Sequence, residues 1–220
     1  MTTQRTEGLA RGVAASLLRF FGLYSLVLLR RQGPVLDDGW FRSAREGRPV
    51  DAAGQPIPWL PYPAIDFLAS RVKPDFAVFE WGCGTSTLWW AKRVARVVAV
   101  EHDEEWFARI SDLAPPNAEV RHVAMGSERY ANAIDVYAPQ FDVVVVDGRE
   151  RVACLRRAVE GLSPRGVIVL DNSQRPEYAE GIAHLAALGF RHVTFAGLVP
   201  VVAWKEQTSI FYRAGNGLEL

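Results

Sequence analysis

Past residue 76 the apolar residues fall into short runs, and between the runs they recur at helical spacing. Phe76–Glu80 reads as a buried strand and Val97–Glu101 as a second. Thr85–Val94 between them reads as a helix, with Thr85 or Ser86 available to cap it. Glu104–Leu113 is a helix ended by Pro115 and Pro116, and Glu119–Ala124 a strand. Phe141–Asp147, F-D-V-V-V-V-D, is continuously apolar, as in a parallel strand covered on both faces. Arg151–Gly161 reads as a helix and Gly166–Asp171 as a strand. Pro176–Leu188 is a helix with proline near its start and Gly189 just past its end. His192–Phe195 and Ser209–Arg213 close the chain as strands without a helix between them. This alternation predicts an α/β fold: a Rossmann-like, doubly wound, mostly parallel seven-stranded sheet with the last strand antiparallel.

The pattern before residue 64 is different and predicts an N-terminal helical and loop extension, dividing the chain into 1–63 and 64–220. Val13–Leu29 is an apolar helix with Arg11 before it and Arg30 and Arg31 after it. At about 17 residues it is at the short limit for a membrane span. Arg19 near its middle costs about 2.5–3.5 kcal/mol at a bilayer centre. Arg11, Arg19 and Arg30 share one side of the helix, so it suits a membrane interface or packing on the domain or on a second copy in a homodimer. Arginines stand where a signal-peptide cleavage site would be, and the reading is a cytoplasmic protein with a membrane-associated alternative. Gly33–Pro63 reads as loop-rich, a surface strap or a lid, with Trp59 and Tyr62 held among prolines. Ala64–Val72 leads into the core as a short helix.

Composition narrows this further. The chain has 220 residues, 25 cationic and 25 acidic, for a formal net charge of zero. A protein that coats nucleic acid relies on cationic excess, so a nucleic-acid partner is not expected. Cys83 and Cys154 have no metal-like spacing and read as reduced thiols.

In a doubly wound sheet, ligands bind beyond the carboxyl ends of the strands. Four strands there end in an acid: Glu80, Glu101, Asp147 and Asp171. Gly82 and Gly84 follow the first and let backbone approach a ligand closely, with Cys83 as a small residue between them. A dinucleotide fingerprint would need a third glycine where Thr87 stands. An acid at Glu101 can accept hydrogen bonds from ribose hydroxyls in either nucleotide class.

Glu80-Trp81-Gly82-Cys83-Gly84, the acid Glu101 in V-A-V-E-H-D, the acid Asp147 in F-D-V-V-V-V-D-G and the turn before V-I-V-L-D-N resemble the class I S-adenosylmethionine-dependent methyltransferases. The resemblance covers about Phe76 to Arg213, and Ser86 replaces a glycine frequent in that family. It implies that 64–220 binds S-adenosylmethionine. Glu80 and the Gly82–Gly84 backbone would then hold the methionine part, Glu101 the ribose, and His102 with a residue near Met125–Ser127 the adenine. It implies an enzyme methylating a small-molecule or carbohydrate-type acceptor, at oxygen. A catalytically silent binding domain and a nicotinamide oxidoreductase are the alternatives.

Asp147, Asp171 and Asn172 stand at neighbouring strand ends. Their oxygens would suit Mg²⁺, and the Asp…Asp-Asn pattern resembles the metal site of catechol-type O-methyltransferases. That family carries a lysine base three residues after the first aspartate, where this chain has Glu150. Either a metal activates the acceptor hydroxyl, or Asp147 is itself the base, or the Asp171-Asn172 pair only forms a turn.

Overall fold

The computed structural model describes residues 16–126, 129–138 and 140–220. After a helical stretch over 16–20 the chain forms α1 (Tyr24–Arg31), α2 (Pro34–Asp37), α3 (Trp40–Glu46) and α4 (Tyr62–Arg71). The alternating part then runs β1 (Ala77–Trp81), α5 (Thr85–Ala91), β2 (Arg96–Glu101), α6 (Glu104–Ser111), β3 (Ala118–His122), β4 (Phe141–Val146), α7 (Arg151–Gly161), β5 (Leu162–Asp171), α8 (Ala179–Ala187), β6 (Arg191–Leu198) and β7 (Lys205–Tyr212).

The sheet order is β3-β2-β1-β4-β5-β7-β6. The first five strands are parallel, and β7 is antiparallel to both β5 and β6, as the strand pattern predicts. Alternate residues feed two cores. Val78, Val97, Val143, Val145 and Val167 pack on one face with α4 and α5. Phe79, Trp81, Val98, Val144 and Ile168 pack on the other with α7 and α8. Period-two burial on both faces explains why these strands read as unbroken apolar runs.

Four details depart from the sequence reading. The Val13–Leu29 helix is interrupted at Gly22, whose φ of 69° is left-handed. The amides of Gly22 and Leu23 donate back to the carbonyls of Arg19 and Leu18, the paired bonds that close a helix end. Residues 13–15 of that reading lie outside the described residues. Among the described residues no helix is long and apolar enough to cross a membrane. The loop-rich segment contains α2 and α3, which its glycines and prolines conceal. Gly39 starts α3 at φ 82°, and a Cβ there would lie 2.2 Å from the Ala52 amide. The cap of α5 comes from Thr87, whose Oγ1 accepts from the Gly84 amide at 3.0 Å, and not from Thr85 or Ser86. The helix expected over Pro176–Leu188 opens as a 3₁₀ turn, Pro176–Tyr178, before α8.

The Pro-rich segment is anchored on the domain. Ile57 and Leu60 are buried in the same core as α4. Trp40 Nε1 donates to the Val202 carbonyl at 2.8 Å, tying α3 to the loop between β6 and β7.

Candidate active site

The carboxyl ends of β1, β2 and β4 open into a cleft of about 760 Å³. Glu101 sits at its floor, buried at the last position of β2. Its Oε1 accepts from the amides of His102 (2.8 Å) and Asp103 (2.9 Å), and its Oε2 accepts from the Cys83 amide at 3.1 Å. The carboxylate therefore pins the glycine loop to β2, and Oε2 keeps a lone pair for a ligand hydroxyl. His102 lines the same cleft, packed edge-on to Tyr130 at 6.0 Å. Its Nδ1 lies 2.6 Å from Glu101 Oε1. Ser127 lies outside the described residues.

The two loop glycines serve different ends. Gly82 is left-handed at φ 92°, and a Cβ on it would come within 2.9 Å of the Gly148 backbone, so it lets β1 and β4 loops touch. Gly84 is extended, and a Cβ on it would meet only Ser86 Oγ at 3.8 Å and the Trp106 ring at 4.0 Å. The protein does not need a glycine there, so the space it leaves belongs to the cleft. Trp106 walls this region and donates from Nε1 to the Cys83 carbonyl at 2.7 Å. The sequence reading places it in the Glu104–Leu113 helix and assigns it no role.

Glu80 is placed differently from the other acids. β1 pairs Glu80 with Ala99 and Trp81 with Val100, so Glu80 stands one residue short of its strand end and two levels below Glu101. It is fully buried and does not line the cleft. Its Oε2 accepts from Thr87 Oγ1 at 2.6 Å, bracing the loop from beneath, while Oε1 has no hydrogen-bond partner among the described residues. Burial pushes its pKa to about 8, with the Ser86 and Thr87 hydroxyls opposing. Cys83 and Cys154 are both free and buried.

A smaller pocket of about 260 Å³ adjoins the cleft, between β4, β5 and the β6–β7 loop. Asp147, Asn172, Arg175 and Trp59 line both spaces. Trp59, 46% exposed, lines both spaces, and Gly47, Arg48 and Pro49 of the same Pro-rich segment line the cleft beside it. Tyr62 is buried in the core at the start of α4, which removes it from any lid. Trp204 and Glu206 close the far side, joined by a bond from Trp204 Nε1 at 3.0 Å.

The oxygens expected to gather a cation are held by Arg151. Its Nη2 donates to Asp147 Oδ1 (2.8 Å) and to the Asp147 carbonyl (2.6 Å). Its Nη1 donates to the Asp171 carbonyl (2.5 Å) and Asn172 Oδ1 (3.1 Å), and its Nε to the Gly148 carbonyl (3.0 Å). Asp171 turns its carboxylate away, accepting from Thr208 Oγ1 at 2.6 Å. Asn172 adopts the left-handed turn conformation at φ 51°. Among the described residues no group of three His, Cys, Asp or Glu side chains has metal-holding geometry. The residues do not fit Mg²⁺, because a fixed guanidinium already bridges these strand ends. The only sequence hint of this role is the position of Arg151, four residues after Asp147 at the start of a helix. Glu150, which stands at the catechol-family lysine position, faces a separate hollow over α7.

Asp147 is 28% exposed and Arg151 9%. Burial raises the Asp147 pKa from the ordinary carboxylate range, and Arg151 pulls against that rise. Asp171 is raised too, by burial and then by the charge of Asp147.

No protein-family model matches the chain, and no curated protein matches it. Solved structures do. One is precorrin 8w decarboxylase from Methanobacterium thermoautotrophicum, 21% identical over 69% of this chain and 87% of that one, with a TM-score of 0.53. Precorrin-6y C5,15-methyltransferase from Geobacter metallireducens is 16% identical over the same shares, also at 0.53. Spermidine synthase from Thermotoga maritima is 14% identical over 69% of this chain and 57% of that one, at 0.51. With its 3-2-1-4-5-7-6 sheet and reversed seventh strand, the chain has the Rossmann-like fold of the class I S-adenosylmethionine-dependent methyltransferases.

Proposed function

We infer that the protein is an S-adenosylmethionine-dependent methyltransferase that methylates a hydroxyl of a small-molecule or carbohydrate-type acceptor without a metal. The observation that carries this reading is the position of Asp147, on the boundary shared by the 760 Å³ cleft and the 260 Å³ pocket. A donor in the first and an acceptor in the second would meet at its carboxylate.

Two features support the cofactor's fit: the open space at Gly84 and the spare lone pair of Glu101 Oε2. Glu101 would receive a ribose hydroxyl, with His102 and Trp106 as walls. When bound, the cofactor supplies a methyl group on a sulfonium, already a good leaving group. The chain's own residues then have two tasks, positioning and proton removal. Asp147 accepts the acceptor's hydroxyl proton. Arg151 favours the ionised form of that carboxylate against its burial and keeps it aimed. Trp59 and Trp204 offer flat apolar faces, and Glu206, Asn172 and Arg175 offer hydrogen bonds, a mixture that suits a hydroxyl-rich ring.

Calorimetry with S-adenosylhomocysteine and with a nicotinamide dinucleotide tests the assignment. Binding of the first alone is expected, and Glu101→Ala should weaken it by about 1–3 kcal/mol. Binding of the dinucleotide alone, or affinity unchanged in Glu101→Ala, overturns it.

A further inference from the structure

The N-terminal segment is apolar on two sides, and one of them is partly covered. In α1, Tyr24, Val27 and Leu28 are half-buried, whereas Leu26 and Leu29 on another face are exposed. The helical stretch and turn before α1 add Phe20 and Phe21, 82% and 67% exposed, with rings edge to face at 5.2 Å. Leu17 and Leu23 are exposed beside them in the chain. Large apolar side chains gathered in this way mark an interaction surface.

The charges on this segment have one sign. Arg19, Arg30 and Arg31 are the charged residues from 16 to 36, and the first carboxylate after them is Asp37. All three arginines are exposed. The eight residues of α1 make a rod of about 12 Å, against about 30 Å of hydrocarbon in a bilayer. With the helix closed at Gly22, the segment has the dimensions to lie along a surface and not to cross it.

We propose that residues 16–31 dock the protein on an anionic membrane surface. Phe20, Phe21, Leu26 and Leu29 enter the boundary between headgroups and acyl chains, while Arg19, Arg30 and Arg31 meet lipid phosphates. A second copy of the chain would cover the apolar side chains too, but a two-fold interface would set this acid-free, arginine-bearing stretch near its own like charges. An anionic bilayer satisfies both the apolar and the cationic half. The proposal is independent of the active-site reading, because none of these residues lines the cleft or the pocket beside it.

Flotation of the full chain with vesicles tests it, using phosphatidylcholine alone and an equal mixture of phosphatidylcholine and phosphatidylglycerol. The protein should rise with the mixed vesicles, remain below with the neutral ones, and be released by added salt. Arg30→Glu with Arg31→Glu should lower the partition by about thirtyfold or more. Phe20→Ser with Phe21→Ser should lower it by at least about tenfold. Both variants should keep their melting temperature and their affinity for S-adenosylhomocysteine. Wild-type protein left in the soluble fraction with mixed vesicles at low salt overturns the proposal. So does equal flotation on neutral vesicles, or a dimer that the phenylalanine variant dissolves in a protein that binds no vesicle.

Discussion

Arg151 grips Asp147 twice, through the carboxylate at 2.8 Å and through the backbone carbonyl at 2.6 Å. The same guanidinium spans to β5 through the Asp171 carbonyl and Asn172 Oδ1, so one cation holds two strand ends in register. Lysine retains the charge but not the planar fork. Arg151→Lys should therefore lower kcat by roughly tenfold to a hundredfold, the equivalent of about 1.5–3 kcal/mol, with little change in cofactor affinity. Steady-state kinetics beside calorimetry would check this, and kcat equal to wild type would remove Arg151 from the mechanism.

Exhaustive chelation should leave the rate unchanged, and added Mg²⁺ or Mn²⁺ should not raise it. The guanidinium already occupies the oxygens that a hard cation would use. Loss of activity on chelation, with recovery on adding one metal, would refute this.

Ionised Asp147 is the form that accepts a proton, so activity should fall as pH drops through its pKa. Burial raises that value despite Arg151. The acid limb of the pH–rate profile should thus lie above the usual carboxylate range near about 4. Asp147→Asn should remove the limb and cost about 10²–10⁴ in rate. Full activity in Asp147→Asn would exclude it as the base.

Glu80 bears on stability more than on catalysis. Its folded pKa is raised to about 8 by burial, against about 4.3 in the unfolded chain. Between those values the folded protein holds a proton that the unfolded chain has released. The contribution is full below about pH 4 and is lost as pH rises through about 8. Glu80→Gln should flatten that slope and gain on wild type by a few kcal/mol above it, on the order expected from linkage. Urea titrations across the pH range would measure this, and parallel stability curves for the two proteins would count against it.

The two loop glycines should separate cleanly. Gly82→Ala forces a left-handed φ and a 2.9 Å approach to Gly148, and should destabilise the fold by about 1–3 kcal/mol. Gly84→Val should leave the melting temperature nearly unchanged, since an added Cβ meets only ordinary van der Waals contacts with Ser86 and Trp106 at the cleft wall. It should nevertheless abolish measurable S-adenosylhomocysteine binding. Retained affinity in Gly84→Val would move the cofactor away from this loop.

Strand pattern and strand-end acids were enough to place the sheet, Glu101 and Asp147, because those depend on local period and on where each strand stops. Glu80 looks like one of them along the chain, because the one residue of register that separates a strand end from a buried brace is invisible there. Arg151, always protonated, does not read as a base in the sequence, and its five oxygen partners come from two strand ends that only the folded sheet brings together. Trp59 stands out in sequence by its proline neighbours and Trp106 not at all, whereas their position over the cleft depends on how α6 and the Pro-rich segment pack. The helix α3 was hidden for a related reason. Flanking glycines look like loop punctuation until a tertiary contact, here Trp40 to Val202, holds the segment between them.

The bond from Trp40 to Val202 joins the two parts of the chain that roof the smaller pocket, one before the sheet begins and one in its last connection. The groups suited to proton removal arise from β4 and β5 in between. Roof and floor therefore belong to separate stretches of the gene. Changes in Trp59, Val202 or Trp204 can alter what the pocket admits while Asp147 and Arg151 stay as they are, so acceptor preference is free to drift, or to be redesigned, without rebuilding the chemistry beneath it.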